Sequence, residues 1–191
     1  MLQADYATHE LYRIHQDGSR TLFASGFNGP VGVAIAPSGD TYAPNYSNDT
    51  ISRISPSGVV SLFSNATPLN GPNGIVINDA GDIFVVNLKN KSVLRVNPNG
   101  SASILAVGPG KNEHVACIGD KLYVSAIWEH LVYEVAMHGT TTIVAGEQGS
   151  SGVIDGCVPG ARHSHPNGMA ASSDGKRIYT NDFAGIMGGG R

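Results

Sequence analysis

Gly71-Pro72-Asn73-Gly74-Ile75-Val76-Ile77-Asn78, then Asp79-Ala80-Gly81-Asp82, then Ile83-Phe84-Val85-Val86-Asn87 is the stretch that decides the fold. It reads as an apolar strand, a tight turn and a second apolar strand, since glycine beside Asp or Asn between β-branched runs is a strong hairpin signal. The first run recurs as Gly29-Pro30-Val31-Gly32-Val33-Ala34-Ile35-Ala36 and as His165-Pro166-Asn167-Gly168-Met169-Ala170-Ala171-Ser172. A degenerate copy is Gly110-Lys111-Asn112-Glu113-His114-Val115-Ala116-Cys117. The turn recurs as Ser38-Gly39-Asp40, Gly119-Asp120-Lys121 and Asp174-Gly175-Lys176. Second strands then follow over Thr41 to Asn45, Leu122 to Ile127 and Arg177 to Asn181.

Working outward, third strands with period-2 alternation run over Thr50 to Ile54, Ser92 to Val96 and Leu131 to Val135. Fourth strands run over Val59 to Phe63, Ser101 to Leu105 and Thr140 to Val144, after turns at Ser57-Gly58, Asn99-Gly100 and His138-Gly139. Four short antiparallel strands recurring every ~40 residues, with no sustained helical period, predict an all-β fold, a β-propeller. In each blade the strands are a, b, c and d. The chain opens with a c strand (Glu10 to Ile14) and a d strand (Arg20 to Ser25), and closes with an a and a b strand. Three complete blades and two complementary halves make about four blade equivalents in a single domain over residues 1–191. The halves would close one blade, or pair between two chains to make a homodimer, because an open strand edge is a template for pairing. The tail, Gly185-Ile186-Met187-Gly188-Gly189-Gly190-Arg191, gives a further strand nothing to pack.

Composition agrees. Asp, Glu, Lys and Arg make up 14% of the chain, against ~25% in an average globular protein, and there are 25 glycines. The net charge of −3 comes with no basic cluster, which argues against nucleic acid. No stretch approaches the ~20 apolar residues of a membrane span, and Met1 to Asp5 lacks the pattern of a signal peptide. The expected location is cytoplasmic unless a leader has been removed. Two cysteines, Cys117 and Cys157, make no disulfide framework.

Ala145-Gly146, Asp155-Gly156, Ala161-Arg162 and Pro166-Asn167-Gly168-Met169-Ala170 resemble the join between two NHL repeats. The segment from Pro166 to Asp182 is also similar to a blade of the gluconolactonase and regucalcin-like family, whose blade style strictosidine-synthase-like and paraoxonase-like proteins share. The resemblance covers nearly the whole chain from about Glu10 and implies a propeller, mostly six-bladed in those families. It also implies a divalent cation in the channel, held by Asn, Asp and Glu side chains at the starts of a strands. Asn73 and Asn167 match such a position, Asn112 matches it loosely, and the repeat that opens at Gly29 has Val31 there.

The a strands line the axis of a propeller, so their starts converge on one mouth of the channel. Asn28, Asn73, Asn112, Glu113, His114, His165 and Asn167 are expected there. Carboxamide oxygens with a carboxylate suit calcium or another divalent cation, with Asn73, Asn112 and Asn167 as metal ligands. Such a cation polarises a carbonyl while a base activates water, and His114 and His165 are the candidate catalytic bases. Asn28, Glu113 and Trp128, in a b-to-c turn, are candidate binding contacts. Asn before Gly is equally good turn chemistry, and Trp128 serves packing as readily as binding. No nucleophile elbow, P-loop or zinc-protease motif occurs. Two functions stay open: a metal-dependent hydrolase acting on a lactone or ester, and a non-catalytic NHL-type module that binds a protein or small ligand.

Overall fold

The computed structural model describes residues 1–156 and 160–183, and Cys157 and the glycine-rich tail lie outside the described residues. The described residues form seventeen strands in five antiparallel sheets, with no helix. Blade 1 holds β1 (Leu2–Asp5), β2 (Glu10–Ile14) and β3 (Arg20–Ser25). Blade 2 holds β4 (Ala34–Ile35), β5 (Thr41–Asn45), β6 (Thr50–Ile54) and β7 (Val60–Ser64). Blade 3 holds β8 (Pro72–Ile77), β9 (Ile83–Asn87), β10 (Ser92–Val96) and β11 (Ala102–Val107). Blade 4 holds β12 (Asn112–Ile118), β13 (Lys121–Ala126), β14 (Leu131–Ala136) and β15 (Thr141–Gly146), and blade 5 holds β16 (Pro166–Ala171) and β17 (Ile178–Asp182). Each sheet is a meander in chain order, as the turns require.

The fold is the β-propeller expected, with one difference at its ends. Met1 to Asp5, expected only to lack a leader, contributes a b strand: Leu2 to Asp5 pair with Arg13 to Glu10. Among the described residues the two terminal sheets are separate, the first with three strands and the last with two, so they do not join into one blade. Leu2 and Ala4 alternate with polar neighbours, but over four residues that signal is too short to separate a strand from a loop.

The sheets stack face to face around the inner strands. β8 lies between β4 and β12, and β12 lies between β8 and β16. These four strands line a central cavity of about 320 Å³. The core is a set of apolar layers between blades. Ile83 and Val85 pack towards blade 2 with Ile51 and Tyr42, while Phe84 and Val86 pack towards blade 4 with Val124 and Tyr133. A central b strand is therefore buried on both faces, which is why β9 reads as an unbroken apolar run. The outer d strands face solvent on one side, and Leu22, Leu62 and Ile104 stay exposed there.

Ion pairs tie b to c at a fixed spacing. Arg53 bonds Asp40 at 2.8 Å and Arg95 bonds Asp82 at 2.7 Å. In blade 4 the signs are inverted, with Lys121 on the b strand 3.0 Å from Glu134 on the c strand. The Arg53 guanidinium, helped by Ser38, holds the Asp40 carboxyl below its ordinary range.

Candidate functional site

The ladder register decides which residues are equivalent. Pro30, Pro72, Asn112 and Pro166 pair with Asn45, Asn87, Ala126 and Asp182 at the ends of the b strands. In blades 3, 4 and 5 the register then skips, and pairing resumes at Ile75, Val115 and Met169. Two residues per blade sit in the bulge: Asn73-Gly74, Glu113-His114 and Asn167-Gly168. A bulge takes residues off the ladder and re-aims their side chains. The expected alignment of Asn112 with Asn73 is thus off by one. Asn112 occupies the proline position, and Glu113 stands in register with Val31, Asn73 and Asn167.

The bulges nest one against the next. A methyl group added at Gly74 would lie 2.8 Å from the His114 Cα, and one at Gly32 would lie 2.7 Å from the Asn73 carbonyl oxygen. Those glycines are what let neighbouring inner strands approach. Ser125 ties the next pair, its Oγ accepting from the His114 amide (3.0 Å) and donating to the Asn167 carbonyl (2.9 Å).

Two side-chain contacts position the entry to the a strands of blades 2, 3 and 5. At the end of a b strand, Asn45, Asn87 and Asp182 accept hydrogen bonds from the amides of Asn28, Asn70 and Ser164. In the b–c turn of the preceding blade, His9, Asp49 and His130 hold left-handed backbone, with φ of 62°, 57° and 61°. Each accepts from the amide just before the next blade's proline: Gly29 to His9 Nδ1 (2.9 Å), Gly71 to Asp49 Oδ1 (2.6 Å) and His165 to His130 Nδ1 (3.2 Å). Gly29 and Gly71 take positive φ there, and so does His165, at 60°. A non-glycine residue in that conformation is costly unless its surroundings hold it. Here the His130 latch, the His130 ring at 4.5 Å and the Trp128 ring at 5.4 Å hold it.

Around His165 opens a pocket of about 280 Å³ at the mouth of the channel. Glu113, Trp128, His165 and Asn167 line it, with Leu88, Ile127 and Phe183 as apolar walls. Burial raises the Glu113 pKa, an effect that the neighbouring Asn73 carboxamide partly offsets. Asn73 is buried, and its Oδ1 has no hydrogen-bond partner. Among the described residues no three His, Cys, Asp or Glu side chains converge on one point. A cation at this mouth would therefore rest on carboxamide oxygens and the single carboxylate of Glu113.

The other expected site residues lie apart from the pocket. Asn112 is fully buried; its Oδ1 accepts from the Tyr133 hydroxyl at 2.6 Å, and its Nδ2 donates to the Ser92 carbonyl at 3.3 Å. That packing commits its oxygen to the core. Burial also holds the Tyr133 hydroxyl far above its ordinary pKa, so it remains a donor. Asn28 is exposed at the blade 2 cap and does not line the pocket. His114 stands at the position of Gly74 and Gly168 and does not line the pocket; burial lowers its pKa, and its Nδ1 has no partner. The connection from Gly146 to Ser164 is braced by the Ile154–Arg162 bridge and by Arg162 to Glu147 at 2.9 Å. His130, Ile127, Leu88 and Phe183 were not foreseen as site residues. The signal was there, in the two residues that follow each b strand's last position and in the left-handed turn residue, but it shows only once the blades are superposed.

No protein-family model matches the chain, and no curated protein matches it in sequence. Solved structures do match in shape. Virginiamycin B lyase from Staphylococcus aureus is 15% identical, with a TM-score of 0.71 over 95% of this chain and 59% of that one. A gluconolactonase from Xanthomonas campestris is 16% identical, with a TM-score of 0.75 over 95% of this chain and 65% of that one. An auxiliary nutrient binding protein from Bacteroides ovatus is 18% identical, with a TM-score of 0.76 over 94% of this chain and 52% of that one. The fold is the β-propeller that these structures share. At these identities the likeness is one of fold, and the chain spans about three fifths of the length of the lyase.

Proposed function

We propose that this chain is a lactonase-like propeller that hydrolyses a lactone or ester in the pocket at the channel mouth. The observation that carries this reading is the shared register of Asn73, Glu113 and Asn167, with the Asn73 Oδ1 buried and unpartnered beside the Glu113 carboxylate. Hard oxygen donors of this kind fit calcium or magnesium, which take six or more oxygens and accept waters for the remainder. These three residues would hold the cation, and the group would supply Lewis-acid polarisation of the substrate carbonyl.

The chain's own residues divide the rest of the work. Leu88, Ile127 and Phe183 keep bulk water from the acyl part of the substrate. His165 takes a proton from a water molecule at Nε2, since its Nδ1 lies 3.4 Å from the Ser164 hydroxyl. The water oxygen adds to the carbonyl carbon, the acyl C–O bond breaks, and the departing alkoxide recovers the proton from His165. Trp128 and His130 fix the imidazole plane by edge contacts.

A thermal melt with calcium, magnesium or EDTA tests the cation. A ligand bound only to the folded state adds about 2.7 kcal/mol at a hundredfold excess over its dissociation constant. The expected result is a rise in melting temperature with calcium that EDTA reverses and that Asn167→Ala and Asn73→Ala abolish. No shift with either cation would overturn the metal-dependent reading. A second reading, a non-catalytic binding module, draws on Val31 at the fourth register position and on the single carboxylate of the set. It predicts saturable ligand binding in the pocket that survives Asn167→Ala and is followed by no turnover.

A further inference from the structure

We propose that the mouth pocket selects an uncharged, largely apolar lactone or ester over polyhydroxylated or anionic ones, a refinement that rests on the hydrolase reading for the word lactone but not for the preference. The argument comes from the repeat. The residue just after each b strand is Tyr6, Tyr46, Leu88, Ile127 and Phe183 in blades 1 to 5. Blades 1 and 2 put hydroxyl-bearing rings there, and Tyr6 and Tyr46 pack edge to face at 6.3 Å, with the Lys89 ammonium over the Tyr46 ring. Blades 3, 4 and 5 put three apolar side chains at the same position, and all three are walls of the pocket.

The next turn residue is Ala7, Ser47 and Lys89 in blades 1 to 3 and Trp128 in blade 4, so an aromatic stands there only where the pocket opens. Trp128 is 46% exposed and Phe183 50% exposed, apolar area that a ligand would cover. Among the described residues the polar groups of the lining are those of Glu113, His165 and Asn167 and the indole N–H of Trp128, and no Lys or Arg lines the space. In the cation-free pocket a carboxylate or phosphate would enter without a positive charge to meet it, against Glu113. A ring with several hydroxyls would leave most of them facing Leu88, Ile127 and Phe183 without partners, which is the costly way to bury them. The volume, about 280 Å³, equals that of about nine water molecules in the liquid. That suits a small ring with a short alkyl or aryl arm.

Trp128 is the sole tryptophan of the chain, so its emission reports on this pocket alone. Emission of the full chain is titrated in EDTA with δ-decalactone, with glucono-δ-lactone and with decanoate, while acid release is followed separately with calcium present. The expected result is saturable binding of δ-decalactone at least tenfold tighter than of either competitor. Leu88→Tyr, which installs the residue of blades 1 and 2, and Phe183→Asn at an exposed position each weaken it at least tenfold. Equal or tighter binding of glucono-δ-lactone or decanoate overturns the preference, as does unchanged δ-decalactone affinity in a folded Phe183→Asn. Selective binding without acid release supports the preference and sinks the hydrolase reading. Acid release from glucono-δ-lactone with no δ-decalactone binding does the reverse.

Discussion

Glu113 puts a carboxylate at the register position that Asn73 and Asn167 fill with carboxamides and Val31 with an apolar side chain, and its environment sets how it behaves. Burial disfavours its charged form, so its folded pKa is raised from 4.5. The folded state then keeps a proton that the unfolded chain gives up. Its contribution to stability is fully present below the ordinary value and is lost as pH rises through the raised one. Glu113→Gln removes that penalty. In EDTA at pH 7 the variant should unfold at higher urea than the parent, by about 1 kcal/mol, the ordinary size of a single-site effect, with the gap closing at pH 4. With calcium present the order should reverse, because the amide cannot replace the carboxylate. A parent that outlasts Glu113→Gln in EDTA at pH 7 would contradict the burial argument. Gly74 belongs to the same scale: its missing methyl is what admits the His114 backbone beside it.

In blades 1, 2 and 4 the b–c turn joins blade to blade through a left-handed residue whose side chain accepts a backbone hydrogen bond from the entry to the next a strand. In blade 4 that residue is His130, and its Nδ1 must be unprotonated to accept from His165. Burial is the main cause holding its pKa below 6.5, and the nearby His165 adds to it. A depressed histidine gives stability that is present above its unfolded pKa and lost as pH falls through the folded one. Between pH 7.5 and 5.5 the melting temperature should therefore drop. His130→Asn, which keeps an acceptor and a side chain suited to left-handed backbone, should flatten that drop. An identical pH slope in the variant would show that the latch does not titrate. The inverted Lys121–Glu134 pair is a second element-scale feature: the b–c contact needs opposite charges at that spacing, and either order supplies them.

Over the whole molecule, stability lies between sheets. Phe84 is fully buried in the layer between blades 3 and 4, beneath the two blades that supply Asn73 and Glu113. Phe84→Ala should cost about 3–5 kcal/mol in urea unfolding and weaken pocket binding with it. Tyr179, 57% exposed on the last strand, should tolerate Ala within about 0.5 kcal/mol. Equal costs at the two positions would mean that the layers between blades are not what holds the fold.

The chain's local chemistry announced the blades. Apolar alternation, glycine turns and the recurring Pro-Asn-Gly are short-range signals, and each sits where the corresponding strand or turn forms. They also marked Glu113, Trp128, His165 and Asn167, because chemistry-bearing residues at the same place in a repeat must meet at one end of a propeller. What the sequence left open was decided by pairing across distance. Whether Asn112 or Glu113 joins Asn73 depends on a bulge, defined only once Asn112 pairs with Ala126 and Val115 with Val124. Leu88, Ile127 and Phe183 become one apolar wall only when three blades stack, since residues so far apart in the chain share no local signal. Leu2–Asp5 becomes a strand through its partner β2. Turns and alternation act between neighbours in the chain, whereas a pocket is a property of blades brought together by burial.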